Sequence, residues 1–500
     1  MQRRMFCQTA LASAIAAALP AGRLLAAEHE IVATAAAPIR AVTGAGAAIE
    51  LEPAAVSALG KQIAGRLLLS GDNGYDTARQ VMNAAIDKRP ALIVQCTGAA
   101  DVRYAVEFAH ERELLLAVKC GGHSYGGKST CDDGMIIDLS LLRGVRVNPD
   151  ARTARVAGGS LLGQMDHETM AFGLVTTTGT VSHTGVGGLT LGGGFGRLAR
   201  RFGLALDNIR AVELITADGA FRRASAEENP DLYWAARGGG GNFGVVTAFE
   251  FALHPMQREV IGGELIFPLD RARELLEFYA DYSVTAPDDV YTDFVMISPP
   301  GDGGGFVMIH ICYSGPADRA DVVLEPFRRL GEPTSDSVKT IDYVALQKSW
   351  DNSDPRAMGE YLKSGFTTEI DARLIDAIVD GFVTDPGRST TVFLQQAGGA
   401  IKRVPTDATA FTHRNAEHTL FSTVGWPRAT DRAPHVSWLR AYWKTLVPFT
   451  SGFYTNEVST ESQEVINANY RGNYARLARI KGRYDPDNLF RLNANIVPET

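Results

Sequence analysis

A glycine-rich loop at residues 119–127 is the strongest constraint on how this chain folds. Its sequence is Lys119-Cys-Gly-Gly-His-Ser-Tyr-Gly-Gly127, and it follows the short apolar run Leu114 to Val118. Glycine lets a backbone turn tightly and come close to a bulky group. The pattern therefore predicts a strand that delivers a tight loop, with His123 at its centre, to a closely held ligand.

The same loop matches a second motif, the G-x-S-x-G nucleophile elbow of serine hydrolases, in which Ser124 would be the nucleophile. An elbow opens directly into a helix, whereas residues 127–134 have turn residues and no apolar stripe. This continuation argues against an elbow, and a secreted serine hydrolase remains an alternative function.

Two other glycine motifs suggest a dinucleotide fold, Gly239–Gly244 and Gly194–Ala199. The Rossmann fingerprint requires a strand before it and a helix after it. The first motif follows a predicted helix and leads into a strand, and the second has no strand before it. Neither predicts a Rossmann site.

The composition indicates a soluble globular protein of more than one domain. The 500 residues are 45% hydrophobic and 21% charged, which is ordinary for such proteins. The formal charge is −8, and it becomes −11 without the three arginines of residues 1–27. This acidity argues against a nucleic-acid partner.

The first 27 residues have the features of an export signal. Arg3 and Arg4 form a twin-arginine pair, an apolar run extends from Thr9 to Leu19, and small residues precede Glu28. The run is too short to span a bilayer, and no later stretch is long and apolar enough to do so. We therefore expect a periplasmic or secreted protein without a membrane anchor after signal cleavage.

The cysteines are too few for a disulfide scaffold. After signal removal four remain, Cys96, Cys120, Cys131 and Cys312. Cys120 and Cys131 are close enough in sequence to pair in an oxidising compartment, and two unpaired thiols are an equal alternative. The spacing of cysteines and histidines around the loop matches no zinc motif, so no metal site is predicted.

The hydrophobic pattern predicts an α+β fold. A βαβ-like unit covers Arg89 to Val118, with Thr97 capping its helix, and a hairpin surrounds Asp218-Gly219. Ser225 and Glu228 form a capping box for a helix through Ala236. From residue 256 strands alternate with amphipathic helices, which predicts a separate α+β domain with an antiparallel sheet.

The loop, together with residues 179–208, 238–255 and 484–498, resembles the berberine-bridge-enzyme-like flavoproteins of the vanillyl-alcohol-oxidase superfamily. The resemblance extends from about Arg89 to the C-terminus. It implies a two-domain PCMH-type FAD-binding fold with an inserted substrate domain. The implied segments are a linker and helix at 28–69, an FAD-binding domain at 70–255, a substrate domain at 256–450 and a C-terminal segment at 451–500 that returns to the FAD domain.

Carried over by position, the resemblance implies that His123 is bonded to the 8α-methyl carbon of FAD. Tyr454 matches a tyrosine that faces the flavin and is the predicted catalytic base. The other implied cofactor-binding residues are Lys119, Cys120, Gly121, Gly122, Ser124, Gly185, Gly187, Gly188, Gly192, Gly193, Asp207, Asn208, Val246, Asn493 and Asn495.

The departures from the family pattern restrict the chemistry. Many relatives have a second covalent bond to a cysteine at the position of Val181, so a 6-S-cysteinyl bond is excluded. Thr184 occupies a position that governs oxygen access, which leaves oxidase and dehydrogenase activity both open. Glu457 replaces a usual tyrosine, so the pocket differs from those of the sugar and aromatic-alcohol oxidases.

The implied reaction is oxidation of a substrate C–H next to a hydroxyl or amine, with hydride transfer to flavin N5 and with O2 as the expected electron acceptor. A non-catalytic flavin-binding secreted protein is a second alternative function. An unshifted phenol has a pKa near 10, so Tyr454 needs a neighbouring cation to act as a base. The substrate is a small molecule whose identity the sequence does not fix.

Four further expectations concern polar side chains. Lys363 is expected to be solvated, and Arg197, Arg200 and Arg201 are expected to form a solvated helix face. Strand alternation should direct either Gln395 or Gln396 towards the pocket. His183 either faces the ligand or binds the backbone.

Overall fold

Three β-sheets organise the computed structural model, which describes residues 37–301, 304–351, 356, 358–459 and 461–499. The signal-like segment at residues 1–27 lies outside this range. In chain order, the first part contains the elements β1 Ile39–Val42, β2 Ala48–Leu51, α1 Pro53–Gln62, β3 Arg66–Leu69, α2 Tyr75–Ala78, β4 Leu92–Gln95, α3 Ala99–Glu111, β5 Leu116–Lys119 and β6 Met135–Asp138.

The first sheet confirms the predicted βαβ unit. Its strand order is β3-β4-β6-β5, and β6 pairs in parallel with both β4 and β5, so α3 is a crossover between parallel strands. Thr97 does not cap α3. Instead the buried carboxylate of Asp101 accepts hydrogen bonds from the Thr97 amide and hydroxyl, both at 2.8 Å, and from the amide of Ala64.

The segment predicted as a linker and helix is more ordered than expected. Strands β1 and β2 form a hairpin that precedes the predicted helix, α1. Ala41, Leu51, Val56 and Leu59 are buried in the same core as α3 and the first sheet. The weak periodicity of this segment concealed the hairpin because each strand has only four residues.

The second sheet has the order β11-β10-β12-β8-β7. This part contains β7 Val145–Asn148, β8 Thr153–Ala157, α4 Leu162–Met170, β9 Leu174–Val175, α5 Val186–Gly192, α6 Ala199–Phe202, β10 Ile209–Ile215, β11 Phe221–Ser225, α7 Pro230–Ala236, β12 Val245–Ala252 and β13 His254–Pro255. Strands β10 and β11 confirm the predicted hairpin. Ser225 ends β11 rather than capping a helix: its hydroxyl accepts the amides of Glu227 and Glu228, and α7 begins later, at Pro230.

The third sheet is antiparallel and has eight strands, all between residues 259 and 427. Its part of the chain contains β14 Glu259–Pro268, α8 Ala272–Thr285, β15 Val290–Ser298, β16 Phe306–Tyr313, α9 Ala320–Arg328, β17 Ser335–Asp336, β18 Lys339–Asp342, α10 Tyr343–Gln347, β19 Met358–Thr367, α11 Ala372–Gly381, β20 Ser389–Gln396, α12 Ala400–Arg403, β21 His418–Pro427 and α13 Ala433–Leu446.

The two faces of the third sheet have different environments. Phe294, Ile309, Leu394 and Leu420 share a core with residues of α8, α11 and α13. Because successive side chains of a strand point to opposite faces, the alternate residues face the other way. That second face includes Phe393 and Phe421 and forms one wall of the large cavity described below.

Two of the arginines predicted to be solvated are instead buried. Arg197 and Arg200 are 2% and 3% exposed. Arg200 donates to the carbonyls of Ala286 and Ala397, both at 2.7 Å, and Arg197 donates to His310 at 2.9 Å. These side chains join the second-sheet region to the third sheet, so their charge is buried with acceptors from distant parts of the chain.

The C-terminal segment contains α14 Gln463–Asn469 and α15 Tyr474–Tyr484 and then returns to the second-sheet region. The buried amide of Asn242 donates to the carbonyl of Ala494 at 3.0 Å and accepts the amide of Ile496 at 3.1 Å. Lys481 is fully buried and pairs with Asp485 at 2.5 Å. The tail is therefore fastened beside residues 240–246, as the resemblance implied.

Candidate active site

A cavity of about 630 Å³ lies where the three parts of the chain meet. This volume is within the usual range for cofactor and ligand sites. Its wall includes residues of seven segments, which are the loop after β5, residues 179–195, residues 240–246, strand β20, strand β21, residues 454–457 and the tail at 490–494. The cavity thus brings together all four segments that carry the family resemblance.

The loop after β5 is held by close backbone contacts rather than by a helix. A Cβ atom on Gly121 would lie 2.3 Å from the amide nitrogen of Gly185, and Gly122 has a φ of +71°. Either position would be strained by a larger residue. No helix begins among residues 120–134, and the Ser124 hydroxyl accepts the amide of Lys128 at 3.1 Å. Within the described residues no imidazole binds that hydroxyl, which removes the basis for a serine hydrolase.

His123 lies in the cavity wall beside a second histidine. Its Nε2 is 2.7 Å from Nδ1 of His183, and its Nδ1 is 3.3 Å from Oγ1 of Thr184. Burial, followed by the effect of His183, lowers the pKa of His123 to about 4. The ring is therefore neutral at physiological pH and keeps a nitrogen lone pair. His183 neither faces the cavity directly nor binds the backbone; it binds His123.

Most of the implied cofactor-binding residues do line this cavity. They are Cys120, Gly121, Gly122, His123, Ser124, Gly185, Gly187, Gly188, Val246 and Asn493, together with Tyr454 and with Val181 at the position of the absent cysteine. A Cβ atom on Gly188 would meet no heavy atom within 4 Å. The main chain at that residue consequently opens into the cavity.

Six of the implied residues lie behind the wall. They are Lys119, Gly192, Gly193, Asp207, Asn208 and Asn495, and none of them lines the cavity. Lys119 donates to the carbonyl of Ala78, and Asp207 forms a buried ion pair with Arg414 at 2.7 Å. Direct contact of these six residues with the cofactor stays a prediction; in the structure, the side chains of Lys119 and Asp207 are already paired with other parts of the protein.

Of the other four residues, Asn208, Gly192 and Gly193 have similar supporting contacts, whereas the buried Oδ1 atom of Asn495 has no hydrogen-bond partner. The amide of Asn208 donates to the carbonyl of Leu204 at 2.9 Å. Added Cβ atoms on Gly192 and Gly193 would collide with Asn456 and Tyr454, at 2.2 and 2.8 Å. These glycines allow close packing of the 454–457 segment and do not admit a ligand.

Tyr454 faces the cavity, but its surroundings do not favour ionisation. Its hydroxyl oxygen accepts hydrogen bonds from the amide of Gly194 at 2.7 Å and from Asn456 at 2.9 Å. Burial and then the nearby Glu457 raise its pKa above the ordinary value. The base role required a cation that lowers this pKa, and no Lys, Arg or His is a cause of its shift. The condition that the base role of Tyr454 requires is therefore not met by these surroundings.

Two carboxyl groups and one lysine line the cavity as further titratable groups. Burial raises the pKa of Glu360 to about 7 and that of Glu457 to about 8, and it lowers the pKa of Lys128 to about 8. Among the described residues, neither carboxyl group forms an ion pair with a basic side chain. No motif or hydrophobic pattern in the sequence predicted that Glu360 and Lys128 lie in the cavity wall.

The third sheet supplies the aromatic part of the wall. Phe393 stacks on Phe421 with ring centroids 4.6 Å apart, and Trp350 meets Phe393 edge to face at 6.1 Å. Gln395 faces the cavity, whereas Gln396 points to the opposite side and accepts the amide of Thr292. Alternation along β20 predicted this division. Lys363 is not solvated: it pairs with Glu461, and both side chains are less than one-fifth exposed.

The polar and aromatic groups of the cavity wall suit a large ligand that has both polar and aromatic parts. Five buried polar atoms of lining residues have no hydrogen-bond partner; they are Ser129 Oγ, Gln395 Oε1, Thr455 Oγ1, Glu457 Oε2 and the Tyr470 hydroxyl. Buried polar groups are normally paired, so these atoms indicate that a ligand completes the site. Backbone amides of the glycine segments could hold phosphates as an anion nest. FAD has this combination of phosphates, hydroxyls and an aromatic ring system.

The described residues give no support for a metal site, a disulfide or a membrane-spanning helix. No cluster of three or more His, Cys, Asp or Glu side chains there could hold a metal ion. Cys96, Cys120, Cys131 and Cys312 are free thiols, so Cys120 and Cys131 do not pair. Within the same ranges, none of the helices has the length and apolar character needed to cross a membrane.

Comparison with known proteins agrees with this geometry. Residues 90–225 match the family model described as an FAD binding domain, and residues 453–497 match the model described as berberine and berberine like. The chain is 32% identical to an FAD-linked oxidoreductase of Dictyostelium discoideum, with 88% of this chain and 96% of that protein covered.

Two further similarities concern a nicotine-oxidising enzyme. The chain is 32% identical to the (R)-6-hydroxynicotine oxidase of Paenarthrobacter nicotinovorans, with 87% of this chain and 97% of that protein covered. The crystal structure of 6-hydroxy-D-nicotine oxidase from Arthrobacter nicotinovorans matches with a TM-score of 0.80 at 30% identity, covering 87% of this chain and 98% of that chain. The chain belongs to the berberine-bridge-enzyme-like family of FAD-linked oxidoreductases, with a PCMH-type FAD-binding domain.

Proposed function

We propose that this protein is an exported oxidase that removes a hydride from a substrate carbon bearing a hydroxyl group or an amine nitrogen. The observation that carries the proposal is the single cavity that joins the His123 loop to the aromatic face of the third sheet. FAD, when bound, accepts the hydride at N5. Residues of the chain hold the substrate against it and exclude water.

The proposal includes one covalent attachment, through His123 to the 8α carbon of the flavin. Its support is a neutral imidazole in the cavity wall with one nitrogen bound to His183. A neutral nitrogen can act as a nucleophile, whereas an imidazolium cannot. Val181, which also lines the cavity, offers no sulfur for a second bond.

Oxygen is the proposed electron acceptor, and hydrogen peroxide is the second product. Relatives named as oxidases, among them the (R)-6-hydroxynicotine oxidase and a xylooligosaccharide oxidase of Thermothelomyces thermophilus at 27% identity, support this choice. Thr184 lines the cavity next to His123, so the residue at the oxygen-access position has room to contact the cofactor region.

Export is proposed from residues 1–27 alone. The twin-arginine pair and the small residues before Glu28 support it. Twin-arginine export carries folded proteins, which suits a chain that takes up its cofactor before it leaves the cytoplasm. We expect a periplasmic or secreted protein whose N-terminus begins near Glu28; replacement of Arg3 and Arg4 by lysine should retain the uncut precursor in the cell.

Anaerobic reduction of the purified yellow protein tests the oxidation. A panel of sugars, aromatic alcohols and amines is added, and the flavin absorbance is followed before and after air is admitted. We expect one class to bleach the colour and air to restore it with one peroxide formed per cycle. A protein that no member of the panel bleaches would contradict the proposed activity, and restoration without peroxide would remove oxygen as the acceptor.

A further inference from the structure

We propose that the substrate is an amine and that Glu457 binds its ammonium group and accepts its proton. This inference rests on the proposed flavin-dependent oxidation and adds the substrate class and the proton acceptor. It also moves the acid–base role from Tyr454 to a neighbouring residue.

Glu457 is placed next to the reacting region. It lies three residues after Tyr454 on the same turn, where its amide donates to the Tyr454 carbonyl at 2.9 Å. Both residues and Asn456 line the cavity. The Oε2 atom of Glu457 is buried without a hydrogen-bond partner. A carboxylate oxygen in that state is an acceptor available to a ligand.

The wall around Glu457 has an excess of acceptors. Gln395 is 4% exposed and lines the cavity with an unpaired Oε1. Glu360 contributes a second carboxyl group without an ion pair in the described chain. Asp293, the cross-strand neighbour of Gln395, is completely buried outside the cavity lining, and its carboxyl group interacts with the Tyr291 hydroxyl and with the charge of Arg197.

The only lysine or arginine among the described lining residues is Lys128, and burial lowers its pKa to about 8 against the opposing field of Glu461. Buried carboxylates without cations are costly, and an ammonium ion with its N–H donors would satisfy them together. A neutral sugar hydroxyl would supply a donor but no charge.

The aromatic wall gives the rest of the substrate an apolar shape. Trp350, Phe393 and Phe421 lie on the third-sheet side of the same cavity. Their rings would cover a flat or apolar body and would also favour a nearby cation through their π faces. An amine with an aromatic or apolar substituent fits both parts of the wall.

The titration behaviour of Glu457 agrees with its position. Burial and then Asp293 raise its pKa to about 8. The charged and titratable groups around it are Asp293, Glu360, Tyr125, Tyr454, Lys128 and His123. A carboxyl group whose pKa is close to the working pH is well matched to accept and release a proton.

The chemical step balances without another reactant. The bound ammonium ion gives one proton to the Glu457 carboxylate and becomes a neutral amine. The adjacent C–H then loses hydrogen with its electron pair, as a hydride that goes to FAD. The C–N bond becomes double, and the product leaves as an iminium ion that water hydrolyses.

Ligand binding to the tethered holoprotein tests the substrate class without requiring turnover. Benzylamine and benzyl alcohol, and 2-phenylethylamine and 2-phenylethanol, are compared at pH 7 by flavin spectral change and by thermal stabilisation. We expect the amines to bind at least tenfold more tightly than the matched alcohols. In Glu457→Gln this preference should disappear, because the amide keeps the shape but cannot carry the charge.

Glu360→Gln is the matched variant, since it makes the same change at the other unpaired carboxyl group of the wall. We expect it to weaken amine binding less than Glu457→Gln and to keep the rise of amine-dependent flavin reduction with pH. In Glu457→Gln that rise should be lost. A larger loss in Glu360→Gln, with the pH dependence intact in Glu457→Gln, would overturn the assignment to Glu457.

Equal binding of amines and alcohols, or no binding of either, would overturn the substrate class. Bleaching by sugars or alcohols at a rate that Glu457→Gln does not change would do so as well, while leaving the proposed oxidation intact. Failure of the proposed flavin attachment is detected separately, since the acid-denatured protein would then be colourless.

Discussion

His123 and His183 show how a single neighbour can decide the chemistry of a residue. The hydrogen bond between Nε2 of His123 and Nδ1 of His183 is 2.7 Å long, and Thr184 lies beside the other nitrogen. Which nitrogen of an imidazole keeps its proton is set by the partner of the other nitrogen. His183 therefore orients the His123 ring and fixes the lone pair that would bond to the flavin.

Replacement of His183 by alanine should slow covalent attachment of the flavin. A hydrogen bond of this kind contributes about 1 kcal/mol, so we expect a decrease in the attachment rate of roughly five- to tenfold. The rate is measured by adding FAD to cofactor-free protein and assaying acid-stable flavin over time. The exposed His167, changed to alanine, is the control. An unchanged rate in His183→Ala would show that the ring does not need this partner.

At the same scale, Asp207 matched a cofactor-binding motif, and the structure pairs it with Arg414 outside the cavity lining. The ion pair with Arg414 is buried on both sides, with side chains 9% and 0% exposed. Removal of one member of a buried pair commonly costs about 3–5 kcal/mol because the other charge stays uncompensated.

We expect Asp207→Asn to lower the thermal midpoint of the holoprotein by several degrees and to leave the flavin absorption spectrum unchanged. Calorimetry and absorbance measure the two effects. Asp231→Asn, at a half-exposed ion pair with Arg476, is the matched control and should change the midpoint little. A shifted flavin spectrum with an unchanged midpoint would restore Asp207 to the cofactor site.

At the scale of elements, the C-terminal tail is held by one side chain that is distant in sequence. Asn242 binds both Ala494 and Ile496, and Asn493 next to them lines the cavity. Loss of these two hydrogen bonds should make the wall of the cofactor site less rigid.

Asn242→Ala should therefore weaken non-covalent FAD binding in a His123→Ala background by at least tenfold. Two buried hydrogen bonds are lost and their backbone partners are left unsatisfied, which supports this size. Fluorescence titration with FAD measures the affinity. Asn148→Ala, at the exposed end of β7, is the control. Equal affinity in both proteins would mean that the tail does not shape the site.

Sequence patterns predict those helices and strands whose defining residues are close together in the sequence. The hairpin of β10 and β11 and the crossover of β4, α3 and β5 were predicted because their hydrophobic periods and turn residues are local. The burial of Arg197 was missed because its partners, His310 and Gln347, lie more than 100 residues away.

In the site, the loop glycines and His123 were identified by motif, and Gln395 by strand alternation. Glu360 was not identified, since a single glutamate at the start of a strand has no distinguishing pattern. Lys119 and Asn495 matched motifs but do not line the cavity, a distinction that only packing reveals.

At the scale of the whole molecule, buried titratable groups couple stability to pH. Burial raises the pKa of Asp166 and Asp293 to about 7 and that of Glu457 to about 8. Unfolded carboxyls titrate near 4, so from about pH 4 to 8 the folded state binds more protons and these groups make it less stable as pH rises.

Three buried histidines have the opposite effect up to about pH 6.5, because burial lowers their pKa values to about 3 or 4; they are His123, His413 and His418.

The two effects oppose each other below about pH 6.5, and the carboxyl effect alone remains above it. We therefore expect the thermal midpoint to fall by several degrees between pH 6.5 and 8. Calorimetry at constant ionic strength measures it. In Asp166→Asn, which keeps the neutral form at all pH values, the fall should be smaller. A midpoint that is constant or rises over this interval would contradict the protonation states described here.

The most direct test of the account concerns the bond at His123. Cleavage after Lys119 and Lys128 releases the peptide of residues 120–128, in which His123 is the only histidine. Tandem mass spectrometry of this peptide from the yellow protein should find the flavin mass, and fragmentation should place it on His123. An unmodified 120–128 peptide from a yellow protein, or a flavin located on another residue, would contradict the account.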